Sequence, residues 1–167
     1  MTTLPPMDPA QQSARLAELD RLGLFDAVEE QAYDDITRMA ATVCGTPIAL
    51  ITLLDDKRQW FKSRLGVQAT ETPLELSFCI HAIAQPDRPL VVEDTAKDER
   101  FVANPLVTGE PHIRFYAGAP LVTANGHALG TVCVLDSQPR EVSAHQLEQL
   151  QFMAQQVVLM LESRAAG

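Results

Sequence analysis

Two stretches near the start of the chain carry hydrophobic residues at helical spacing. The stretch SARLAELDRLGL predicts a short amphipathic helix, with Gly23 as its stop signal. The stretch DAVEEQAYDDITRMAATVCG predicts a second helix from about Asp26 to Gly45. The residues expected on the inner faces of these helices are Leu16, Leu19, Leu22, Ile36, Met39, Ala40 and Val43.

A third helix is predicted near the C-terminus. Ser143 is followed three residues later by Gln146, which is the spacing of a capping box. A stripe with alternating spacings of three and four then consists of Leu147, Leu150, Ala154, Val157 and Leu161. A stripe this narrow fits either a partner helix or the chain's own sheet, and Val158 would widen it enough to reach both.

Apolar runs between these helices predict an antiparallel sheet. The runs IALITLLD (48–55) and RQWFKSRLG (58–66) flank a polar turn and therefore form a hairpin, and RPLVVED (88–94) forms a further strand. We expect an α+β fold in which helices flank one mainly antiparallel sheet. A frayed segment at 1–15 would precede a single domain at 16–164.

The pair Asn125-Gly126 is the strongest local signal, because it suits the type I′ turn of a hairpin with a two-residue loop. Such a loop sets Val122 opposite Leu129 and Gly118 opposite Cys133. Alternation then puts two sets of side chains on opposite faces. One face holds Arg114, Tyr116, Thr131 and Cys133, and the other holds Phe115, Ala117, Ala119, Val132 and Val134.

The long connection at 95–113 precedes this hairpin and mixes polar, proline and glycine residues with apolar ones. If the connection covers the more polar face of the hairpin, a cavity of mixed character results. The predicted ligand-binding residues are Trp60, Arg100, Phe101, Asn104, Arg114, Tyr116, Thr131 and Cys133. In the structural alternative, Gly118 makes room for a bulky neighbour and Arg114 pairs with a surface carboxylate.

The stretch SFCIHAI (77–83) raises the question of a catalytic thiol or a metal ligand. Its apolar spacing predicts a short helix, in which residues two apart point in different directions. Cys79 would then lie in the apolar stripe, where burial raises the pKa of a thiol. His81 would point elsewhere and lie within reach of Ser77. We interpret the stretch as packing.

Composition narrows the classes of function. A net charge of -9 and a pI of 4.8 oppose binding to nucleic acid or to an anionic membrane. The sequence has neither a signal peptide nor an apolar run of membrane-spanning length, so we expect a cytoplasmic protein. Its cysteines and histidines lack metal-ligand spacing, and familiar catalytic motifs are missing, so the patterns assign no metal, cofactor or catalytic residue.

The order of four longer motifs resembles the GAF domains at the front of many bacterial sensor kinases and diguanylate cyclases. The motifs are PIALITLLDDKRQWFKSRLG, SFCIHAI, LVVEDTAKDERFVANPLVTGEPHIRFYAGAPL and GHALGTVCVLDSQPR. The resemblance implies a small-molecule pocket between one sheet face and the segment before the last hairpin. It also implies that the N- and C-terminal helices pack together in a homodimer and pass a signal to an output partner, such as a histidine kinase or diguanylate cyclase.

Departures from the family pattern limit the choice of function. The segment NPLVTGEPHIRFY lacks the cysteine that bilin-binding members carry there, and a GVCG-like segment of the free methionine sulfoxide reductases is also missing. The leading hypothesis is a non-catalytic sensory module. The alternatives are a redox sensor or a methionine sulfoxide reductase-like enzyme that uses Cys79 and Cys133, and an empty dimerisation scaffold. Redox chemistry requires those two sulfur atoms to lie close enough to bridge.

Overall fold

The computed structural model describes residues 8–22 and 31–166, which form five helices and six strands. The helices are α1 (Pro9–Leu22), α2 (Gln31–Cys44), α3 (Cys79–Ile83), α4 (Pro105–Thr108) and α5 (Ala144–Ala166). The strands are β1 (Ile48–Leu54), β2 (Arg58–Leu65), β3 (Glu71–Pro73), β4 (Leu90–Val92), β5 (Phe115–Val122) and β6 (Ala128–Asp136). The predicted α+β class is confirmed.

The strands form one antiparallel sheet in the order β3-β2-β1-β6-β5-β4. Helices α1, α2 and α5 pack on one face of the sheet and bury one hydrophobic cluster against it. Helix α3 and the 95–113 connection, which contains α4, pack on the other face and bury a second cluster. We call α3 together with residues 95–113 the cover segment.

The predicted register of the β5–β6 hairpin is confirmed over most of its length. Gly118 pairs with Cys133 and Pro120 pairs with Thr131. Tyr116 and Cys133 belong to the cluster beneath the cover segment, as the alternation predicted. The opposite set, which packs beneath helices α1, α2 and α5, is Phe115, Ala117, Ala119, Val132 and Val134.

The predicted two-residue turn is wrong. The Gly126 N–H donates to the Thr123 carbonyl over 2.9 Å, and Gly126 alone in this loop has a positive φ, of 86°. The connection therefore runs over residues 123–127, and Val122 pairs with Ala128 instead of Leu129, which becomes a bulge. The bulge lies beyond the site, so the two face assignments survive it.

The loop at 123–127 also joins the two terminal helices. The Ala124 N–H donates to Glu162 of α5 over 3.0 Å, and the Asn125 side-chain amide donates to Glu18 of α1 over 3.3 Å. Helices α1 and α5 also pack against each other, as the fold prediction stated.

The inner face of α2 differs from the predicted one. Ala40 is buried as expected, but Met39 is 53% exposed, and Ile36 and Val43 are only partly buried. The buried residues of α2 are Tyr33, Thr37, Ala40, Ala41 and Cys44. The true stripe is rotated because Thr37 and Tyr33 face the sheet edge, where the Thr37 hydroxyl donates to Ser63. The predicted start at Asp26 and the stop at Gly23 lie outside the described residues.

The C-terminal helix follows the prediction closely. Ser143 and Gln146 form the capping box, with bonds of 2.8 Å and 3.1 Å. Leu150, Ala154, Val157 and Leu161 are buried in the cluster beneath the helices, and Leu147 is partly buried there. The stripe therefore packs on the chain's own sheet and on α1 and α2.

Helix α1 is held to the sheet by a buried arginine. Arg15 is 4% exposed and donates to the carbonyls of Leu54 over 2.6 Å, and of Asp55 and Ala128 over 3.4 Å each. Burial lowers the pKa of Arg15 to about 10, although Asp55 and Asp56 partly oppose this effect.

Helix α1 begins at Pro9 and therefore overlaps the predicted frayed segment at residues 9–15, while residues 1–7 lie outside the described part.

We expect Arg15→Met to lower the free energy of unfolding by about 1–3 kcal/mol, because carbonyls at the ends of β1 and β6 lose a charged donor. Urea unfolding followed by circular dichroism measures this change. Arg38→Met is the matched control, because Arg38 is exposed and its ion pair with Asp35 is a surface one, worth at most about 1 kcal/mol. Equal losses for the two variants would contradict the anchoring role of Arg15.

Candidate functional site

A compact polar cluster lies in the apolar layer beneath the cover segment. The Cys79 sulfur of α3 accepts hydrogen bonds from the Tyr116 hydroxyl of β5 and the Thr131 hydroxyl of β6, each over 3.1 Å. The Cys133 sulfur of β6 lies 3.9 Å from the Cys79 sulfur. Each of these four side chains is at most 2% exposed.

Strand pairing places the polar groups of this cluster. Thr52 of β1 lies opposite Thr131, and their hydroxyl oxygens are 3.0 Å apart. The Thr131 N–H donates to the Thr52 hydroxyl over 3.1 Å, which leaves the Thr52 proton free to point at the Thr131 oxygen. A chain of hydroxyl groups therefore runs from β1 across β6 to the Cys79 sulfur.

Gly118 determines where the tyrosine points. A Cβ atom at Gly118 would lie 2.2 Å from the Tyr116 hydroxyl oxygen, so the tyrosine ring occupies the space of the missing side chain. Because Gly118 pairs with Cys133, the Tyr116 hydroxyl lies beside the two sulfurs. The structural alternative for Gly118, room for a bulky neighbour, is confirmed.

The expected rise in the pKa of Cys79 is wrong. Burial does raise it, but hydrogen bonds from Cys133, Thr131 and Tyr116, with Thr52 behind Thr131, together outweigh burial and lower the pKa to about 7. The sequence pattern indicated an apolar stripe, and it carried no sign of the donors, which come from three different strands.

The pKa values of Cys133 and Tyr116, the two neighbours of Cys79, shift in the opposite direction. Burial, together with the Cys79 thiolate, raises the pKa of both Cys133 and Tyr116 above their ordinary values. A negative charge on Cys79 therefore opposes a second charge in the cluster, which favours Cys133 and Tyr116 as protonated donors.

His81 takes no part in the thiol cluster. It is 8% exposed and stands edge-on to Phe101, with ring centroids 4.9 Å apart, and its Nε2 has no hydrogen-bond partner. The Ser77 hydroxyl donates to Gln59 over 2.7 Å instead of bonding to His81. Burial, helped by the charge of Arg100, lowers the pKa of His81 to about 4, and Asp98 partly opposes this, so the ring is neutral near pH 7.

Aromatic rings fill the space between the cluster and the cover segment. Phe78 contacts Phe101 at 5.0 Å and Tyr116 at 5.7 Å between ring centroids. Phe101 is fully buried. The structure thus brings together Phe101, Tyr116, Thr131 and Cys133, but protein atoms occupy the place expected for a cavity.

Three predicted residues hold the cover segment itself. Asn104 is buried and caps α4, accepting from the Leu106 N–H over 2.8 Å. Arg114 donates to the Val107 carbonyl over 2.7 Å, so it binds backbone where a surface carboxylate was the structural alternative. Arg100 pairs with Asp98 at the surface over 2.7 Å, with its guanidinium 5.2 Å from the Phe101 ring centroid.

Trp60 lies apart from the other predicted residues. It packs with the cluster beneath helices α1, α2 and α5, on the opposite face of the sheet from Tyr116. There it lines a groove of about 510 Å³ between α2 and β2, which also carries Arg38, Lys62 and Arg64. The sheet therefore separates Trp60 from the thiol cluster.

Thr52 and Cys79 are the members of the cluster that the prediction of the site left out. Thr52 is the one polar residue in the run IALITLL, and it is fully buried. A lone hydroxyl inside a buried strand needs a partner, so that residue was a usable signal. The apolar spacing of residues 77–83 predicts packing for Cys79, and that pattern carries no information on which strands α3 covers.

Residues 8–22 and 31–166 contain no group of three or more His, Cys, Asp or Glu side chains that converges as a metal site. Over the same ranges, no helix is both long and apolar enough to cross a membrane.

Comparisons with known proteins agree with this fold. A family model described as GAF domain matches residues 29–161. A cyclic di-GMP phosphodiesterase of Pseudomonas aeruginosa is 44% identical over 135 residues, which are 81% of this chain and 23% of that protein. The chain therefore spans about a quarter of the length of that relative.

Two solved structures share the fold at low sequence identity. The GAF domain of an Acinetobacter phosphoenolpyruvate-protein phosphotransferase has a TM-score of 0.66 at 17% identity, with 96% of this chain and 98% of that one covered. The blue-light absorbing form of the Thermosynechococcus elongatus PixJ GAF domain has a TM-score of 0.64 at 16% identity, with coverage of 95% and 90%. At these identities the likeness shows the fold alone.

The thiol cluster predicts a pH dependence of stability. The pKa of Cys79 in the folded chain, about 7, lies below its ordinary value of 9.0, so losing the proton favours the folded state. This stability is complete above about pH 9 and is lost as the pH falls through about 7. The free energy of unfolding of wild type minus that of Cys79→Ser should therefore grow by roughly 1–3 kcal/mol between about pH 6 and about pH 9.

Cys44→Ser is the matched control for this measurement by urea unfolding. Burial raises the pKa of Cys44, with Arg140 partly opposing it, so the corresponding difference should stay level or fall over the same range. If the difference between wild type and Cys79→Ser also stays constant between about pH 6 and about pH 9, the Cys79 thiol stays protonated over that range.

Proposed function

The chain belongs to the GAF domain family, and from that premise we propose that it is a non-catalytic regulatory module. Membership in this family supports a sensory or regulatory role. In our proposal the domain binds a small molecule beneath the cover segment and transmits the binding event through α1 and α5 of a homodimer.

The construction of the β5–β6 hairpin is the observation that carries the proposal. One face of the hairpin holds Tyr116 and Cys133 beneath the cover segment, and the other face packs against α5 through Ala117 and Ala119. The loop at 123–127 bonds to both α1 and α5. A displacement beneath the cover segment would therefore reach both terminal helices through a single rigid element.

The ligand would bind an arrangement in which the cover segment has lifted. Bonds to the residue just before β5 help to hold the cover segment in the closed arrangement, among them Arg114 to the Val107 carbonyl and the Thr95 N–H to the Arg114 carbonyl, each over 2.7 Å. A ligand that replaces the contacts of Phe101 and offers an anionic group to Arg114 would favour the lifted arrangement. Its differential affinity for the two arrangements sets the strength of the signal.

A dimerisation scaffold without a ligand is the second candidate function. The observation in its favour is that Phe101, Tyr116, Thr131 and Cys133 are each fully buried by protein atoms. In that case the aromatic side chains would be the permanent filling of the cavity.

The outer face of α5 supplies the surface for the proposed dimer. Phe152 is 58% exposed and Leu159 is 59% exposed. Their spacing of seven residues puts them on one line along the helix, on the side away from the chain's own sheet. Since the stripe from Leu147 to Leu161 is already used within the domain, a partner helix would contact this second line.

The output partner that we propose is a domain that acts on cyclic di-GMP. Support comes from the 44% identity to the Pseudomonas aeruginosa cyclic di-GMP phosphodiesterase, in which the matched region is 23% of the protein. Of the two output partners expected from the sequence, this proposal favours the diguanylate cyclase over the histidine kinase, because a diguanylate cyclase also acts on cyclic di-GMP chemistry.

Native mass spectrometry of the purified chain beside a denatured sample separates these candidates. A dimer that carries a non-covalent added mass is the expected result, and the mass begins to identify the ligand. A dimer of unmodified chains would support the scaffold instead. A monomer without added mass would contradict both candidates.

Changing Phe152 and Leu159 together to Glu should weaken the homodimer at least about tenfold, or about 1.4 kcal/mol, because charges would then meet across the helix line. Analytical ultracentrifugation measures the dissociation constant, and circular dichroism checks the fold. Met39→Glu is the matched control, since Met39 is similarly exposed, at 53%, but lies on α2. A double variant that dimerises like wild type would place the interface elsewhere.

A further inference from the structure

We propose that Cys79 and Cys133 form a reversible disulfide beneath the cover segment when the domain meets a peroxide. This redox site is independent of the small-molecule proposal, because it requires neither a ligand nor a dimer. It is a modification site made of residues that the fold brings together from α3 and β6.

Distance and surroundings support the bond. The two sulfurs lie 3.9 Å apart, and a disulfide needs about 2 Å, so a rotation of one side chain or a small shift of α3 closes the gap. The third cysteine, Cys44, belongs to the cluster on the other face of the sheet and is separated from this pair. The geometry therefore selects one pair among the three cysteines.

Hydrogen bonding makes the two sulfurs chemically different. Cys79 accepts from the hydroxyl groups of Tyr116 and Thr131, and these donors stabilise a thiolate. The lowered pKa of Cys79, about 7, agrees with this, and that of Cys133 is raised by burial and by the charge on Cys79. Cys79 is accordingly the attacking sulfur, and Cys133 keeps its proton for the second step.

The reaction balances with hydrogen peroxide as the oxidant. The Cys79 thiolate attacks one peroxide oxygen, an S–O bond forms, the O–O bond breaks, and the released hydroxide takes up a proton as water. The Cys133 sulfur then attacks the Cys79 sulfenic acid, the S–S bond forms, the S–O bond breaks, and the second hydroxide leaves with the Cys133 proton as water. Two thiols and one peroxide give one disulfide and two waters.

Access of the oxidant requires a local opening, because both sulfurs are fully buried in the closed arrangement. Helix α3 has only five residues, between a short 3-10 turn at 74–76 and the bend before β4, but all five are buried, so the opening in our proposal is a rare local event. Oxidation is then slow compared with that of an exposed thiol. A thiol reductant that enters by the same route reduces the disulfide again.

The test uses the purified full chain, reduced and then treated with hydrogen peroxide under native conditions. Remaining thiols are alkylated before and during denaturation, and proteolytic peptides are mapped by mass spectrometry. We expect the count of free thiols to fall from three to one, with the peptides that contain Cys79 and Cys133 joined and two hydrogen atoms lost. Dithiothreitol should restore all three thiols.

Variants identify the roles of the two sulfurs. Cys133→Ser should leave a sulfenic acid on Cys79 that dimedone captures, Cys79→Ser should leave Cys133 unmodified, and Cys44→Ser, the matched control, should form the disulfide as wild type does. Alanine replaces serine if a serine variant fails to fold by circular dichroism.

Three results would overturn the proposal. Wild type that keeps three thiols in peroxide while free cysteine in the same tube is oxidised would show that the site does not react. A disulfide that includes Cys44, or one that forms only after denaturant is added, would show that the folded geometry does not direct the bond. The wild-type map decides the question even if every variant is unstable.

Discussion

The register of β6 between β1 and β5 is the constraint on which the rest of the structure depends. Side chains alternate along β6, so Thr131 and Cys133 face the cover segment while Val132 and Val134 face the helices. A slip of one residue would exchange these two sets and bury hydroxyl and thiol groups against α5. Both the thiol cluster and the packing of the terminal helices therefore follow from a single pairing.

A buried polar cluster is stable only if its members satisfy one another. Here the hydroxyls of Thr52, Thr131 and Tyr116 lead toward one sulfur, so the energetic cost of removing them from water is offset by their mutual bonds. His81 shows the contrast, because its Nε2 is buried without a partner and the ring remains neutral. Within the described residues, the satisfied thiol cluster and the unsatisfied His81 Nε2 thus lie on the same side of the sheet.

Local patterns in the sequence were sufficient for the sheet faces, the class of fold and the C-terminal helix. Alternation is a property of a single strand, and the capping box at Ser143 needs only its neighbour Gln146. The thiol cluster could not be predicted in this way, since Cys79 meets residues far from it in sequence. The turn was misjudged for a similar reason, because bonds from Asn125 and Ala124 to the terminal helices favour a longer loop.

The packing of Tyr116 over Gly118 has a consequence for how such domains diverge. A larger residue at 118 would collide with the ring, so position 118 can change only if the tyrosine at 116 changes as well. A homologue that replaced the glycine would have to give up the tyrosine hydroxyl, and with it one of the donors that distinguish the two sulfurs. In relatives that keep both cysteines, a Tyr-x-Gly pattern in the strand before the last one therefore indicates that the tyrosine donor has been kept as well.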